Sequence, residues 1–218
     1  MSSSLSFLVL TMIGLPELVN LKEVDPRVEL DIRYATKDNF THQQLYEVAK
    51  CYLRPVVAKM VRKSQDYLER TAPGKRLLVK DCYRPVSVQK RMWKVVRGTP
   101  MARYVANPNR GGGSVHSFGA AVDVSLIDGN GQELDFGTPY DHLDKLSQPR
   151  FEVDFLKKGK LKQSQLDNRR LLRAAMCEGG GFRMISNEWW HFDAFRGRAL
   201  RKKYMPLDIS FSVLGRRK

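Results

Sequence analysis

Two histidines, an aspartate and a glutamate are the residues of this chain best suited to metal chemistry, and they fall in two short stretches. In the first, Ser114-Val115-His116-Ser117-Phe118-Gly119-Ala120-Ala121-Val122-Asp123, a loop imidazole is followed by a glycine turn and then by a carboxylate on the polar face of a strand. Zinc accepts imidazole nitrogen and carboxylate oxygen at about 2.0 to 2.2 Å, and its catalytic form takes three protein ligands and leaves one position for water. His116 and Asp123 supply two. Of the remaining histidines, His191 in Glu188-Trp189-Trp190-His191-Phe192 is the best third, since His42 and His142 sit in polar, loop-like contexts. Glu188, three residues before His191, can be delivered close to the ion without being forced to bind it, which suits a general base. Residues three apart in a regular strand point to opposite faces, so this reading requires a bulge, twist or strand end between Glu188 and His191. Trp189 and Trp190 read as packing and site walls, the usual role of large aromatics. Taken singly, His116 reads as a satisfied turn histidine and Asp123 as a surface carboxylate; only the three-ligand pattern points to zinc.

The elements that must position these residues are legible in the periodicity. Val28, Leu30, Ile32 and Tyr34 alternate with Glu29, Asp31 and Arg33, the pattern of a half-buried strand that Tyr34 ends. Val56, Val57, Met60, Val61, Ser64, Tyr67 and Leu68 recur at helical spacing up to the Pro73-Gly74 stop. Leu77 to Lys80 reads as a buried strand running into Asp81-Cys82-Tyr83-Arg84-Pro85, where the proline holds Arg84 extended, and a short helix follows from about Ser87 to Val96. Gly98 to Gly113 reads as a loop. Val122, Val124 and Leu126 alternate with Ala121, Asp123 and Ser125, a strand with one apolar and one polar face, and Asp128-Gly129-Asn130-Gly131 signals a hairpin. Leu166 to Cys177 reads as a helix closed by Gly179, Gly180 and Gly181, and Phe182 to Phe192 as a final strand. Strands interleaved unevenly with helices predict an α+β fold with a mostly antiparallel sheet.

A length of 218 residues suits one domain, and 28% charged with 42% hydrophobic residues matches an ordinary globular protein rather than a disordered or membrane-spanning one. The 38 basic against 23 acidic side chains give a net charge of +15, which concentrates anions: nucleic acid, acidic wall polymers or membrane headgroups. The basic clusters at Arg169, Arg170 and Arg173, at Arg196 to Lys203 and in the tail Arg216-Arg217-Lys218 read as a solvated face, because no nucleic-acid-binding motif accompanies them. Cys51, Cys82 and Cys177 form no C-x-x-C pair and predict neither a disulfide framework nor a thiolate zinc site. The apolar run Leu5 to Gly14 is about half the ~20 residues of a membrane span. No Lys or Arg precedes it and no A-x-A-like site follows. It reads as a retained extension over 1–14 ahead of a domain over 15–218, with a cytoplasmic location, or a periplasmic or secreted one if the segment acts as a signal.

The pattern S-x-H-x-x-G-x-A-x-D followed by E-x-x-H resembles the zinc D,D-peptidases of peptidase family M15, with their Hedgehog-like fold. Arg33-Tyr34-Ala35-Thr36 with Asn39-Phe40, then Asp81-x-Tyr83-Arg84-Pro85 and Glu188-Trp189-Trp190-His191, are similar to the D-alanyl-D-alanine dipeptidases of vancomycin-resistance and wall-recycling systems, over about Leu15 to Phe192. The resemblance implies zinc-dependent hydrolysis of the D-alanyl-D-alanine dipeptide in peptidoglycan precursor and cell-wall turnover. It places one Zn2+ on His116, Asp123 and His191, the catalytic base on Glu188, and a transition-state arginine on Arg84, where a fixed guanidinium can stabilise the developing oxyanion. It further implies that Tyr34, Ser114 and Asp141 line the dipeptide site, with Asp141 facing the substrate ammonium.

On the residues alone, Arg84 could instead pair with Asp81 at the surface, Tyr34 could be core, and Asp141 could cap the helix before Leu143 and Leu146. Cys82 stands where the resembled proteins usually have glycine, and Gly111-Gly112-Gly113 and the basic insertion from Phe151 to Lys162 depart from compact members. These departures bear on substrate length, so a D,D-carboxypeptidase or peptidoglycan endopeptidase acting on longer wall peptides is the alternative. A non-catalytic zinc module would be expected to lack Glu188, and a nucleic-acid binder is motivated by charge alone. The implied partner is a small dipeptide, with no specific nucleic acid and no transmembrane segment; oligomeric state is left open.

Overall fold

Alternation of Val122, Val124 and Leu126 with Asp123 and Ser125 builds the strand at the centre of the larger sheet, and all seven of its residues are buried. Its second face is therefore not the solvated one that alternation alone implies; it is covered by the site and its walls. The structure is a computed structural model describing residues 18–110, 113–195 and 197–216. The predicted extension at Leu5 to Gly14, and Gly111, Gly112, Arg196, Arg217 and Lys218, lie outside the described residues.

The described strands are β1 (Val19–Asn20), β2 (Glu29–Leu30), β3 (Tyr52–Leu53), β4 (Arg76–Asp81), β5 (Ala121–Ile127), β6 (Arg183–Met184) and β7 (His191–Asp193). The described helices are α1 (Leu21–Val24), α2 (Pro55–Thr71), α3 (Val86–Val96), α4 (Glu152–Lys157), α5 (Gln163–Arg173), α6 (Gly197–Lys203) and α7 (Phe211–Leu214). The main sheet runs β2-β4-β5-β7-β6; only β2 and β4 are parallel, and β1 with β3 forms a separate antiparallel ribbon. The fold is α+β with a mostly antiparallel sheet. No described helix is long and apolar enough to cross a membrane.

Helix α2 follows its predicted spacing, with proline at its first turn and Val57, Ala58, Val61, Ser64, Gln65 and Leu68 turned inward. Helix α5 does not continue as α-helix to Cys177; it widens into a π-helical stretch over Ala174–Gly179 that packs on α2. Gly180 has φ −89° and ψ −21°, a conformation open to any residue, so its identity is set by space rather than by backbone freedom. A Cβ there would lie 2.1 Å from Ser64 Oγ and 2.9 Å from the Met60 carbonyl.

Several expectations are corrected. The strand predicted over Val28 to Tyr34 keeps its alternating burial, but ladder pairing stops at Leu30 and a 3-10 turn over Arg33–Ala35 follows, closed by bonds from Ala35 and Thr36 back to Ile32 and Arg33. The Asp128 turn forms, yet it returns only through the single bridge Ile127↔Glu133, with Glu133 drawn to Lys80 at 2.8 Å. The final strand splits into β6 and β7 around a bend at 185–190. Arg169 is not on a solvated face; it is buried, bonding the Phe136 and Leu146 carbonyls and Glu152. Cys51 and Cys82 form a disulfide, which cysteine spacing did not predict, and Cys177 is free.

Gly180→Ala should therefore destabilise the protein by about 1 to 3 kcal/mol through overpacking. Thermal melting followed by circular dichroism should show a Tm lower by roughly 3 to 10 °C.

Candidate active site

One rung of the sheet carries the acidic centre. Asp123 of β5 is paired in register with Asp81 of β4 on one side and with His191 of β7 on the other. His116 arrives from a 3-10 turn over Val115–Phe118, started by Ser114, whose Oγ accepts the His116 N–H at 3.3 Å. Gly119 ends that turn at φ 66°, and a Cβ on it would meet Leu18 Cδ2 at 2.6 Å, so only glycine fits this corner.

Three donor atoms converge: His116 Nε2 lies 3.1 Å from His191 Nδ1 and 3.3 Å from Asp123 Oδ1, and His191 Nδ1 lies 2.9 Å from Asp123 Oδ1. Ligands placed tetrahedrally at about 2.0 to 2.1 Å from a zinc ion stand about 3.3 to 3.4 Å apart, so the triangle needs little adjustment to accept one. The opposite side of each ligand is already held. His116 Nδ1–H donates to the Cys82 carbonyl at 2.6 Å, His191 Nε2–H donates to Asp193 at 2.9 Å, and Tyr140 O–H donates to Asp123 Oδ2 at 3.0 Å. With those outer nitrogens held as donors, each imidazole would present its inner nitrogen, once deprotonated, as the tautomer that metal ligation requires.

The charges point the same way. Burial alone would raise the Asp123 carboxyl, but His116 and His191 hold it far below the usual carboxylate range. Burial works against a charged His191, yet Asp123 and Asp193 push it well above the usual imidazole value. A pocket with two carboxylates about one imidazole favours positive charge, as a proton or as a metal ion. His116, Asp123 and His191 are a group able to hold a metal among the described residues.

Glu188 stands in the bend before β7, and the strand begins only at His191. That strand end supplies the irregularity needed to bring both side chains to one cleft. Burial raises the Glu188 carboxyl to about 7, with His191 opposing and Asp123 reinforcing the shift. Arg84 does pair with Asp81, but in the interior rather than at the surface: its Nε and Nη2 reach Asp81 Oδ2 at 3.0 and 2.5 Å, and its Nη1 reaches Gln89 Oε1 at 2.9 Å. Those bonds use three of its five donors. Its Nη2 is 3.9 Å from Asp123 Oδ2.

Tyr34 is buried and its hydroxyl donates to both Asp141 oxygens, at 2.8 and 3.1 Å. Asp141 adopts φ 61° and caps nothing; Asp144 performs the capping, accepting the Leu146 N–H at 2.6 Å. Burial raises the Asp141 carboxyl well above its ordinary value, partly offset by the Tyr34 bond. All eight predicted site residues, Tyr34, Arg84, Ser114, His116, Asp123, Asp141, Glu188 and His191, line one cleft of about 290 Å³. Trp190 also walls it, whereas Trp189 and His42 line a larger cavity of about 600 Å³ that contains none of the three donors. His142 faces Asp144 on the exposed surface. Sequence reasoning missed Tyr140, Gln89 and Asp193; only Asp193 left a local signal, two residues beyond His191 and so on the same strand face.

A profile of the Peptidase M15 family, described as D-ala-D-ala dipeptidase, matches residues 15–208. A D-alanyl-D-alanine dipeptidase of Escherichia coli (strain K12) is 34% identical over 177 residues, covering 81% of this chain and 84% of the relative. One of Enterococcus faecalis (strain ATCC 700802 / V583) is 30% identical over 214 residues, covering 88% and 96%. One of Synechocystis sp. (strain ATCC 27184 / PCC 6803 / Kazusa) is 30% identical over 167 residues, covering 64% and 68%.

The donor geometry predicts that Asp193→Ala weakens zinc affinity roughly 10- to 100-fold, because His191 loses the partner that orients it. Competition against a chromogenic chelator measures this directly, and unchanged affinity would remove Asp193 from the site.

Proposed function

We propose, from the premise that this chain belongs to the Peptidase M15 family of D-ala-D-ala dipeptidases, that it hydrolyses D-alanyl-D-alanine at the cleft built on His116, Asp123 and His191, with zinc as resident ion and residues 15–218 as one catalytic domain. The observation that carries this reading is the convergence of three mutually spaced donors, a buried carboxyl and a buried guanidinium on a single small cleft.

His116, Asp123 and His191 would hold the ion, which when bound supplies Lewis acidity that polarises the peptide carbonyl and acidifies water beside it. Glu188 takes the proton of the attacking water and delivers it to the departing amine. A carboxyl that burial raises towards neutrality is suited to both halves of that transfer. Arg84 turns its two remaining N–H donors to the carbonyl oxygen as charge builds there, and Asp81 with Gln89 keeps the guanidinium from following the substrate. The Tyr34–Asp141 pair lines the cleft, and an ammonium placed there would relieve the burial penalty on Asp141. A free dipeptide brings that ammonium and a longer wall peptide does not, which favours dipeptidase over carboxypeptidase or endopeptidase action. Ser114 lines the same cleft while its oxygen secures the His116 turn.

Purified protein should release D-alanine from D-alanyl-D-alanine, lose the activity to a chelator and regain it with zinc, and should cleave a wall pentapeptide far more slowly. Equal or faster cleavage of the pentapeptide would overturn the dipeptide assignment. Glu188→Gln should lower kcat by about 10² to 10⁴ while zinc stays bound. A base must be ionised, so kcat/KM should rise with pH through the Glu188 pKa, and the positive charge of the ion draws that limb below the value of about 7 set by burial. An acidic limb that persists unchanged in Glu188→Gln would assign the proton transfer elsewhere.

A further inference from the structure

The segment Asp81-Cys82-Tyr83-Arg84 touches the site at three points. Its Cys82 carbonyl orients His116 at 2.6 Å, its Arg84 N–H bonds the His116 carbonyl at 3.2 Å, and its Asp81 carboxylate clamps the Arg84 side chain. Yet little regular structure holds it. Strand β4 ends at Asp81 after a break in register beyond Val79, and α3 starts only at Val86.

What holds it is a short run beside it, residues 51–54. Cys51 is joined to Cys82 by the disulfide, the Tyr52 carbonyl accepts the Tyr83 N–H at 3.0 Å, and Arg54 reaches the other half of the site. The Arg54 N–H bonds the Gly119 carbonyl at 3.0 Å, and its Nε bonds the Phe118 carbonyl at 3.0 Å, which secures the turn bearing His116. One anchor therefore fixes both the histidine turn and the arginine segment. Its only covalent link is the Cys51–Cys82 bond, whose two residues are buried.

We infer that the Cys51–Cys82 disulfide is a positioning element of the active site: it fixes Arg84 and the Cys82 carbonyl against the His116 turn, so that turnover and zinc retention depend on its being intact. This rests on the dipeptidase reading above. A disulfide that served only as a staple would lower Tm on removal and leave a folded enzyme with its kcat and zinc affinity unchanged. A positioning disulfide moves both, because small displacements of a stabilising group or of a ligand's orienting partner are expensive in rate and in affinity.

The experiment compares the oxidised enzyme, the same enzyme reduced with a phosphine, which avoids the zinc-binding thiols of other reductants, and the Cys51→Ser/Cys82→Ser double variant. All are assayed well below their Tm, with circular dichroism confirming the fold. We expect kcat on D-alanyl-D-alanine to fall roughly tenfold with KM within about twofold. Zinc affinity, read by chelator competition, should weaken roughly tenfold, and reoxidation should restore the reduced enzyme but not the variant. Unchanged kcat and zinc affinity with only a lower Tm would overturn the inference, as would three free thiols, Cys177 among them, titrated in the fully active enzyme. Should the double variant not fold, the phosphine-reduced enzyme decides by the same two readouts. Absence of hydrolysis by the oxidised enzyme would instead count against the dipeptidase reading, and the zinc competition would still judge the disulfide.

Discussion

A buried carboxylate in the middle of a fully buried strand is the constraint on which this structure turns. Asp123 is almost inaccessible on β5, with Asp81 beside it in the next strand and equally inaccessible. An ionised carboxylate left alone in such a place costs several kcal/mol, so each must be matched. Asp81 is matched by the Arg84 guanidinium, the Tyr46 hydroxyl and the Cys82 N–H. Asp123 is matched by two imidazoles and the Tyr140 hydroxyl, an arrangement in which a divalent cation can replace the shared proton. The positions of β7, the His116 turn and the 81–84 segment follow from satisfying these two charges together.

The aromatic side chains around that pair determine how strongly the charges act. Tyr34, Tyr140 and Trp190 pack edge to face beside the donors, with ring centroids 6.3 Å apart for Tyr34 and Tyr140 and 5.5 Å for Tyr140 and Trp190. They exclude water, which strengthens every remaining electrostatic contact and raises the carboxyls that lack a cation, Glu188 and Asp141. The same wall that shapes the cleft thus separates carboxylates that stay ionised from carboxyls able to carry a proton. Asp123 belongs to the first kind and Glu188 to the second, although burial acts on both.

Much of this was legible in the sequence where the signal is local. Helix α2 and strand β5 announce themselves by period, and the Ser114 to Asp123 stretch encodes its turn, its glycine corner and its strand within ten residues. Glu188 and His191 can share a cleft only if the strand breaks between them, and β7 starting at His191 is that break. Long-range pairings leave no such trace. Cys51 and Cys82 are 31 residues apart and meet where the Tyr83 N–H, just beyond β4, bonds the Tyr52 carbonyl of β3, which spacing does not disclose. Arg169 looked like part of a solvated cluster until Glu152 of the preceding helix drew it inward. Gln89 and Tyr140 act through contacts 5 and 17 residues away in sequence, and nothing in their neighbours marks them.

The net charge of +15 lies apart from this chemistry. Around the donors stand Asp81, Asp123, Asp141, Glu188 and Asp193, with Arg84 the only lysine or arginine within the described cleft other than Arg103. The cleft is acidic on a basic molecule, the reverse of a groove made to follow a phosphate backbone. A zwitterionic dipeptide carries no net charge, so a long-range field cannot steer it as it would an anion. Under the proposed function, recognition of such a substrate would operate at contact distance, with an ammonium meeting Asp141 and a carbonyl meeting Arg84. For that, fixed positions matter more than total charge, and the hydrogen bonds and disulfide around residues 51–54 supply them.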